Sequence, residues 1–285
     1  QKLRLVEALQ ANGQVVAMTG DGVNDAPALK QADIGVAMGV GGTEVAKDAA
    51  DMVLTDDNFS TIEAAVEEGR AVFDNLVKFI TWTLPTNIGE GLVILVAVFA
   101  GLELPITPVQ ILWINMTTAV LLGLMLAFEG KEPGIMKRPP RRPQTPVITL
   151  QLAVRVGVVS LMLLIGSFGL FEWTLLHDRS LETARTVAVN MFVFGELFYL
   201  FNCRSLRYSM FRLGVFSNRW LVLGVAAMVL LQILFTYSPA MNQLFGSAPM
   251  TQTEWLWVLG GGVTLYAVVG IEKWLRCCAD RGQAN

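Results

Sequence analysis

Charge is scarce in this sequence of 285 residues: 16% are Asp, Glu, Lys or Arg, 53% are hydrophobic, and the mean hydropathy is +0.52. So apolar a composition excludes a disordered chain and is unusual for a soluble globular one. Cysteine is scarce too. Cys203, Cys277 and Cys278 cannot make an even disulfide framework, and two are adjacent, so reduced thiols near a cytoplasmic membrane face are expected. Neither half of the chain carries the concentrated basic surface that binding a phosphate backbone requires, which excludes nucleic acid as a partner. Histidine occurs once, as His177 beside Asp178, and reads as a solvated residue of an outer loop rather than a ligand. No internal repeat is present. The charged, amphipathic run from Gln1 reads as the interior of something longer rather than as a signal peptide.

What charge there is divides unevenly. Residues 1–75 hold five Lys/Arg and thirteen Asp/Glu, whereas residues 76–285 hold sixteen and eleven. An acidic soluble segment, 1–75, is therefore expected before a mildly basic membrane segment, 76–285. In the first, Lys2–Ala11 places Leu3, Leu5, Val6 and Leu9 on a helical stripe that Asn12-Gly13 stops. Short apolar runs at Val15–Met18, Ile34–Met38 and Met52–Leu54 read as strands. Helices are expected at Asn24–Ala32 and Thr43–Ala50, and a long one from about Phe59. The alternation predicts a parallel α/β sheet, and so thin a sheet is expected to continue upstream of Gln1.

From Phe79 the sequence turns apolar. Stretches at about 79–102, 106–128, 150–176, 186–202, 220–237 and 255–275 mostly reach the ~20 residues a helix needs to cross a bilayer core, so six spans are expected. The fourth is the shortest and carries Asn190 and Glu196. The loop 129–149 (Lys131, Lys137, Arg138, Arg141, Arg142), the loop 203–219 (Arg204, Arg207, Arg212, Arg219) and the tail (Lys273, Arg276, Arg281) hold most of the cations. The opposite connectors hold only Arg179 and Arg185. By the positive-inside rule the N-terminal segment, these loops and the C-terminal tail are cytoplasmic, in a multi-pass protein of the plasma (inner) membrane. Prolines 139, 140, 143 and 146 make 129–149 a stiff connector. Trp220, Trp255, Trp257 and Trp274 read as an interfacial belt, and Gly260-Gly261-Gly262 as a site of close helix packing.

The sharpest chemical signal runs from Thr19 to Lys30, Thr-Gly-Asp-Gly-Val-Asn-Asp-Ala-Pro-Ala-Leu-Lys. Asp21 leaves a strand on a turn flanked by Gly20 and Gly22, where backbone can approach a ligand, and Asp25 follows in the first turn of a helix. Two carboxylates there suit a hydrated Mg²⁺ that also touches a phosphate oxygen. The helix-start N–H groups and the Asn24 amide would hold the anion. An Asx turn with a helix N-cap is the alternative; a bare Gly-Asp-Gly leaves it open and the twelve-residue string disfavours it.

A second group lies at membrane depth. Asn87 and Glu90 are three apart and share a helix face, as do Asn115 and Thr118 in the next span, and Glu196 sits midway along the fourth. Pro85 cannot donate to the Thr81 carbonyl, which is left free for a ligand or water. Carboxylates inside a membrane cost about 2.5 kcal/mol or more, so they mark function by default. Oxygen ligands suit Ca²⁺, Mn²⁺ or Na⁺. Interhelical hydrogen bonding is the alternative reading.

The string at Thr19–Lys30 resembles the hinge motif of P-type ATPases, pumps that phosphorylate themselves on an aspartate within a haloacid-dehalogenase-like fold. The resemblance extends over residues 1–149 through Asp33–Gly39, Asp56–Ile62, Glu67–Arg70 and Met136–Arg141, closest to the type II cation pumps of the calcium-pump kind. It implies an α/β haloacid-dehalogenase-like remnant followed by an all-α bundle of six transmembrane helices. It implies Mg²⁺ and ATP as cofactors, Lys2 as the phosphate-binding lysine, Asp21 as a Mg²⁺ ligand, and Thr19, Asn24 and Asp25 as residues ordering the phosphoryl site. Asn87, Glu90, Asn115, Thr118 and Glu196 fall on the family's cation-ligand positions. The transported ion is expected to be Ca²⁺, with Na⁺ or Mn²⁺ as alternatives. At Ala119 the family carries a ligating aspartate; its loss argues against two bound Ca²⁺ and for a single divalent or a monovalent ion.

The family's phosphorylated Asp-Lys-Thr-Gly-Thr string is absent, as are its nucleotide-binding and actuator parts. The chain alone is therefore expected to be inactive and to need the N-terminal half of the pump as its partner. A non-enzymatic membrane protein or the partner subunit of a split pump is the alternative. A membrane-anchored phosphatase of the same superfamily is weaker, because it leaves Asn87 and Glu90 without a purpose.

Overall fold

A computed structural model of the protein describes residues 1–141, 145–206, 208 and 210–282. Arg142 and Arg207, counted above among the loop cations, lie outside the described residues, as do the side chains of Arg212, Cys277 and Arg281. The chain divides into two compact units, Gln1–Arg70 and Ala71–Asn285.

The first unit is a three-stranded parallel sheet of order β1-β2-β3: β1 Ala17–Gly20, β2 Ile34–Met38 and β3 Met52–Leu54. Thr19 pairs with Val36, and Val36 with Met52. The helices are α1 Lys2–Ala11, α2 Ala26–Gln31 and α3 Glu44–Ala49. β2 is the central strand and Val36 and Ala37 are buried; a Cβ on Gly35 would lie 2.4 Å from the Leu29 carbonyl oxygen, so α2 sits directly on this strand. The helix expected at Asn24–Ala32 instead begins as a 3-10 turn, Val23–Asp25, and ends at Gln31, because Ala32 is already extended and leads into β2.

The acidic excess of this unit has a structural use. At the strand ends, Asp33 accepts from Val16 N–H (2.8 Å), Asp51 from Gly35 N–H (2.8 Å), and Asp57 from Val40 and Gly41 N–H (2.9 and 2.6 Å). Carboxylates here satisfy backbone donors that the short crossovers leave unpaired. The same donors, Val16 for Asp33 and Val40 for Asp57, hold both carboxyls below their ordinary range.

Among the described residues six helices are long and apolar enough to cross a membrane. α4, Ser60–Ala100, runs unbroken through Pro85; the span expected at 79–102 is its second half, and Gly101 in a left-handed conformation ends it. α5, Pro108–Thr118, starts on a capping box of Thr107 and Gln110. The stretch expected as one helix over 106–128 then changes pitch, to a π-helical segment at Ala119–Gly123 and a 3-10 segment at Leu124–Phe128. α6 is Leu150–Leu176 and α7 Leu181–Cys203; the short α8 and α10 are Met210–Leu213 and Pro239–Phe245, α9 is Arg219–Tyr237 and α11 Gln252–Gly282.

The fourth span, expected to be short at 186–202, proves to be the core of the bundle: α7 has 23 residues and 89% of its apolar window is buried. Its polar residues therefore face protein, not lipid. Cβ atoms on Gly261 and Gly262 would overlap Met191 and Phe198 of α7, so two of the three glycines of α11 permit close packing while Gly260 faces open space. On the other side, a Cβ on Gly224 of α9 would lie 2.0 Å from the Leu121 carbonyl oxygen, which seats α9 on the π-helical segment backbone to backbone.

At one end of the bundle, residues of the two cation-rich loops join a buried ionic cluster. Arg204 is fully buried, and its Nη2 lies 2.8 Å from Glu129 Oε1 and 2.7 Å from Ser217 Oγ, while Nη1 donates to the Gly214 and Val215 carbonyls. Asn218 donates to Glu129 at 3.1 Å, Asn75 donates to the Glu129 main-chain carbonyl at 2.8 Å, and Lys78 donates to Asn75 at 3.0 Å. Arg204→Met strands a buried carboxylate and is expected to cost about 3–5 kcal/mol, whereas adding Glu129→Met should restore most of the loss. Unfolding of the three variants in detergent checks this; equal destabilisation by the single and double variants would contradict it.

Candidate functional site

The hinge string folds as the end of β1, the 3-10 turn and α2. Gly20 is required by proximity: a Cβ there would lie 2.6 Å from Asp25 Cβ. Asp25 is buried and turned under the strand, where its Oδ1 lies 2.6 Å from Lys2 Nζ and its Oδ2 accepts from Asp21 N–H at 3.3 Å. The Asp21 carbonyl accepts from Thr43 N–H (2.8 Å) and from the Thr43 hydroxyl (3.2 Å), which pins the turn to the start of α3. Asp21 itself is exposed, as is Asn24, and Gly22 and Thr19 are half-buried.

The two aspartates thus have different environments. Asp25 is committed to Lys2; that hydrogen bond, opposed by burial, holds its carboxyl below the ordinary 3.8. Lys2 in turn faces Asp25. Asp21 has a free carboxylate at the carboxyl end of the sheet, and an exposed oxygen donor there fits a hydrated Mg²⁺, which needs only one or two carboxylates. Among the described residues no group of three or more His, Cys, Asp or Glu is placed to hold a metal.

The Lys2–Asp25 pair has a pH signature. A depressed folded pKa stabilises above the ordinary carboxylate range, and the contribution disappears as pH falls through the lowered value. Lys2→Met should weaken the first unit at neutral pH and lose less on acidification, read as the thermal unfolding midpoint across acid pH. A profile identical to the parent's would remove the pair as a stabilising element.

In the membrane unit, Glu90 and Glu196 are both buried. Asn115, half-buried, donates to Glu90 Oε2 at 2.6 Å. Thr86 and Thr118, both buried, interact with the Glu196 carboxyl, as does Glu90, while the Thr86 hydroxyl donates to the Thr83 carbonyl at 2.9 Å. Among the described residues, Glu90 Oε1 and Glu196 Oε2 are buried with no hydrogen-bond partner. Buried carboxylate oxygens are rarely left so, because a desolvated, unpaired acceptor is costly.

Three expectations change here. Asn87 is exposed while Glu90, one turn on, is buried, so the structure does not bring Asn87 into the cluster. A three-residue spacing covers an arc wide enough to straddle the edge of a buried face. The Thr81 carbonyl freed by Pro85 is not open to a ligand, because the Tyr199 hydroxyl donates to it at 2.9 Å. Ala119 opens the π-helical segment, so the helix changes form directly after Thr118 instead of continuing as the one helix expected over 106–128. Such segments recur at functional sites. His177 is exposed, with Nδ1 2.8 Å from the Trp173 carbonyl and its ring against the Trp173 ring.

Residues 103–275 match the family model described as cation transporting ATPase, C-terminus, and residues 3–66 match that of the haloacid dehalogenase-like hydrolases. The chain is 62% identical over 275 residues to the probable cation-transporting ATPase F of Mycobacterium tuberculosis (strain ATCC 25618 / H37Rv), covering 96% of this chain and 30% of that protein. It is 50% identical over 261 residues to the cation-transporting ATPase pma1 of Synechocystis sp. (strain ATCC 27184 / PCC 6803 / Kazusa), covering 90% and 29%. Against the calcium-transporting ATPase of Bacillus subtilis (strain 168) the identity is 43% over 262 residues, covering 91% and 29%. The chain spans about 30% of the length of these relatives.

Proposed function

This chain belongs to the P-type cation-transporting ATPases, and from that premise we propose that it is the ion-carrying C-terminal part of an ATP-driven cation pump. It is a multi-pass membrane protein. The observation that carries the reading is the pair of buried, unpartnered carboxylate oxygens, Glu90 Oε1 and Glu196 Oε2, beside Asn115, Thr86 and Thr118. Two buried carboxyl groups, each with an oxygen that has no donor among the described residues, suit a hard cation as the partner. Asn87 lies on the same helix, one turn before Glu90, and joins the ligand set only if α4 turns.

The reading for the ion is Ca²⁺ first, then Mn²⁺ or Na⁺, with one divalent ion rather than two because Ala119 supplies no carboxylate. The same reading puts the first unit, the cation-rich loops and the C-terminal tail on the cytoplasmic side of the plasma membrane. ATP is bound and the phosphorylated aspartate supplied by other parts of the pump. Within this chain Asp21 holds Mg²⁺ at the phosphoryl group, where the ion would neutralise developing negative charge. Lys2 and Asp25 fix the turn that presents Asp21, with Thr19, Gly20, Asn24 and Gly22 shaping it. The test is ATP hydrolysis by the full-length, reconstituted protein against a panel of Ca²⁺, Mn²⁺, Na⁺ and K⁺. Stimulation by an oxygen-preferring cation is expected; indifference to every one would overturn the reading.

A further inference from the structure

We propose that Tyr199 is a positioning residue for the intramembrane carboxylates, acting through the main chain of α4; this rests on the cation-pump reading above. Pro85 has no N–H, so the Thr81 carbonyl lacks the donor an unbroken helix would provide. Inside a membrane bundle an orphaned carbonyl needs another donor. Tyr199, fully buried on α7, supplies it at 2.9 Å. The next residue of α4 returns the contact: the Trp82 indole N–H, also buried, donates to the main-chain carbonyl of Glu196 at 3.1 Å.

The two bonds form a reciprocal clasp. A side chain of α7 holds the backbone of α4 at residue 81, and a side chain of α4 holds the backbone of α7 at residue 196. Sliding or rotating either helix by one residue breaks both. Ser160 adds α6 by donating to the Pro85 carbonyl at 2.9 Å. One end of the clasp is Glu196 itself, and the other lies on the helix that carries Glu90. The clasp therefore sets the height of one carboxylate against the other. The Tyr199 ring would fill its place equally well as phenylalanine; only the hydroxyl makes the bond to Thr81.

The test uses the full-length pump and the cation that stimulates it. Tyr199→Phe is expected to raise the half-maximal cation concentration by roughly three- to tenfold, the change that losing one hydrogen bond makes in an equilibrium constant. The maximal rate should fall by less than that factor. A lost maximal rate with an unaltered half-maximal concentration, or no change in either, overturns the proposal, since a merely structural tyrosine would not move the cation dependence. Should Tyr199→Phe fail to assemble, Trp82→Phe decides: a shift in the same direction supports the clasp and its absence refutes it. Glu90→Gln run in parallel separates the two readings. Loss of cation stimulation there, with a parental Tyr199→Phe, sinks the positioning role alone; an unaltered Glu90→Gln sinks the ion site beneath it.

Discussion

Glu90→Gln in the full-length protein is expected to abolish cation-stimulated ATP hydrolysis at ordinary cation concentrations. Glutamine keeps the size of the side chain, so α4 and its packing survive. What changes is charge and donor count. Glu90 Oε2 accepts from Asn115 Nδ2, and Oε1 has no partner. An amide in its place removes the negative charge and turns one acceptor into a donor. Removing one member of a buried ionic contact costs about 3–5 kcal/mol, which is on the order of a hundredfold to several thousandfold in affinity. The measurement is ATPase rate against cation concentration. A variant with the parental curve would mean that Glu90 serves only to hold Asn115.

Asp21→Asn is expected to lower Mg²⁺-dependent phosphorylation of the full-length protein by about a hundredfold or more, since charge stabilisation by a metal is worth several kcal/mol. Asparagine is nearly isosteric, and the main-chain contacts that fix this turn, from Thr43 to the Asp21 carbonyl and from Asp21 N–H to Asp25, do not use the side chain. The fold of the first unit should therefore be unaffected. Asp25→Asn predicts the opposite balance, because Asp25 is buried against Lys2 and its loss destabilises the turn before it touches the metal. Phosphoenzyme formation and thermal unfolding, measured on both variants, separate the roles. Normal phosphorylation of Asp21→Asn would remove that residue from the site.

The architecture is legible in the sequence where period and composition carry it. Alternating runs of two kinds announce the small parallel sheet, and six apolar stretches announce six long helices, because burial in hydrocarbon or in a core leaves no other way to satisfy the backbone. Local signals fail where the deciding contact is remote. The consequence of Pro85 can be read from the proline, but the donor that answers it, Tyr199, is 118 residues away. Thr186–Asn202 reads as the shortest of the six spans because its polar residues face protein, which hydropathy cannot distinguish from water; the helix in fact runs Leu181–Cys203. Ala-Val-Leu-Leu-Gly at 119–123 reads as ordinary apolar helix, and nothing local announces either its wider turn or the close approach of Gly224 to the Leu121 carbonyl. Asn87 and Glu90 have the spacing of neighbours, yet the edge of the buried face passes between them.

The wide turn at Ala119–Gly123 also gives the second span a reserve of slack. A π-helical turn holds one residue more than the α-helix would use, so tightening it would swing everything from Leu124 onward through about 100° while Thr118 stayed in place. The two halves of the span then have independent rotational settings. The half ending at Thr118 answers to the carboxylates, and the half beginning at Gly123, where a Cβ would strike Trp82 and Phe79, answers to α4. Because Asn115 of the first half is bonded to Glu90 of α4 while Gly123 abuts Trp82 and Phe79 of the same helix, a turn of α4 would load both halves, and the wide turn between them is where their difference would be absorbed.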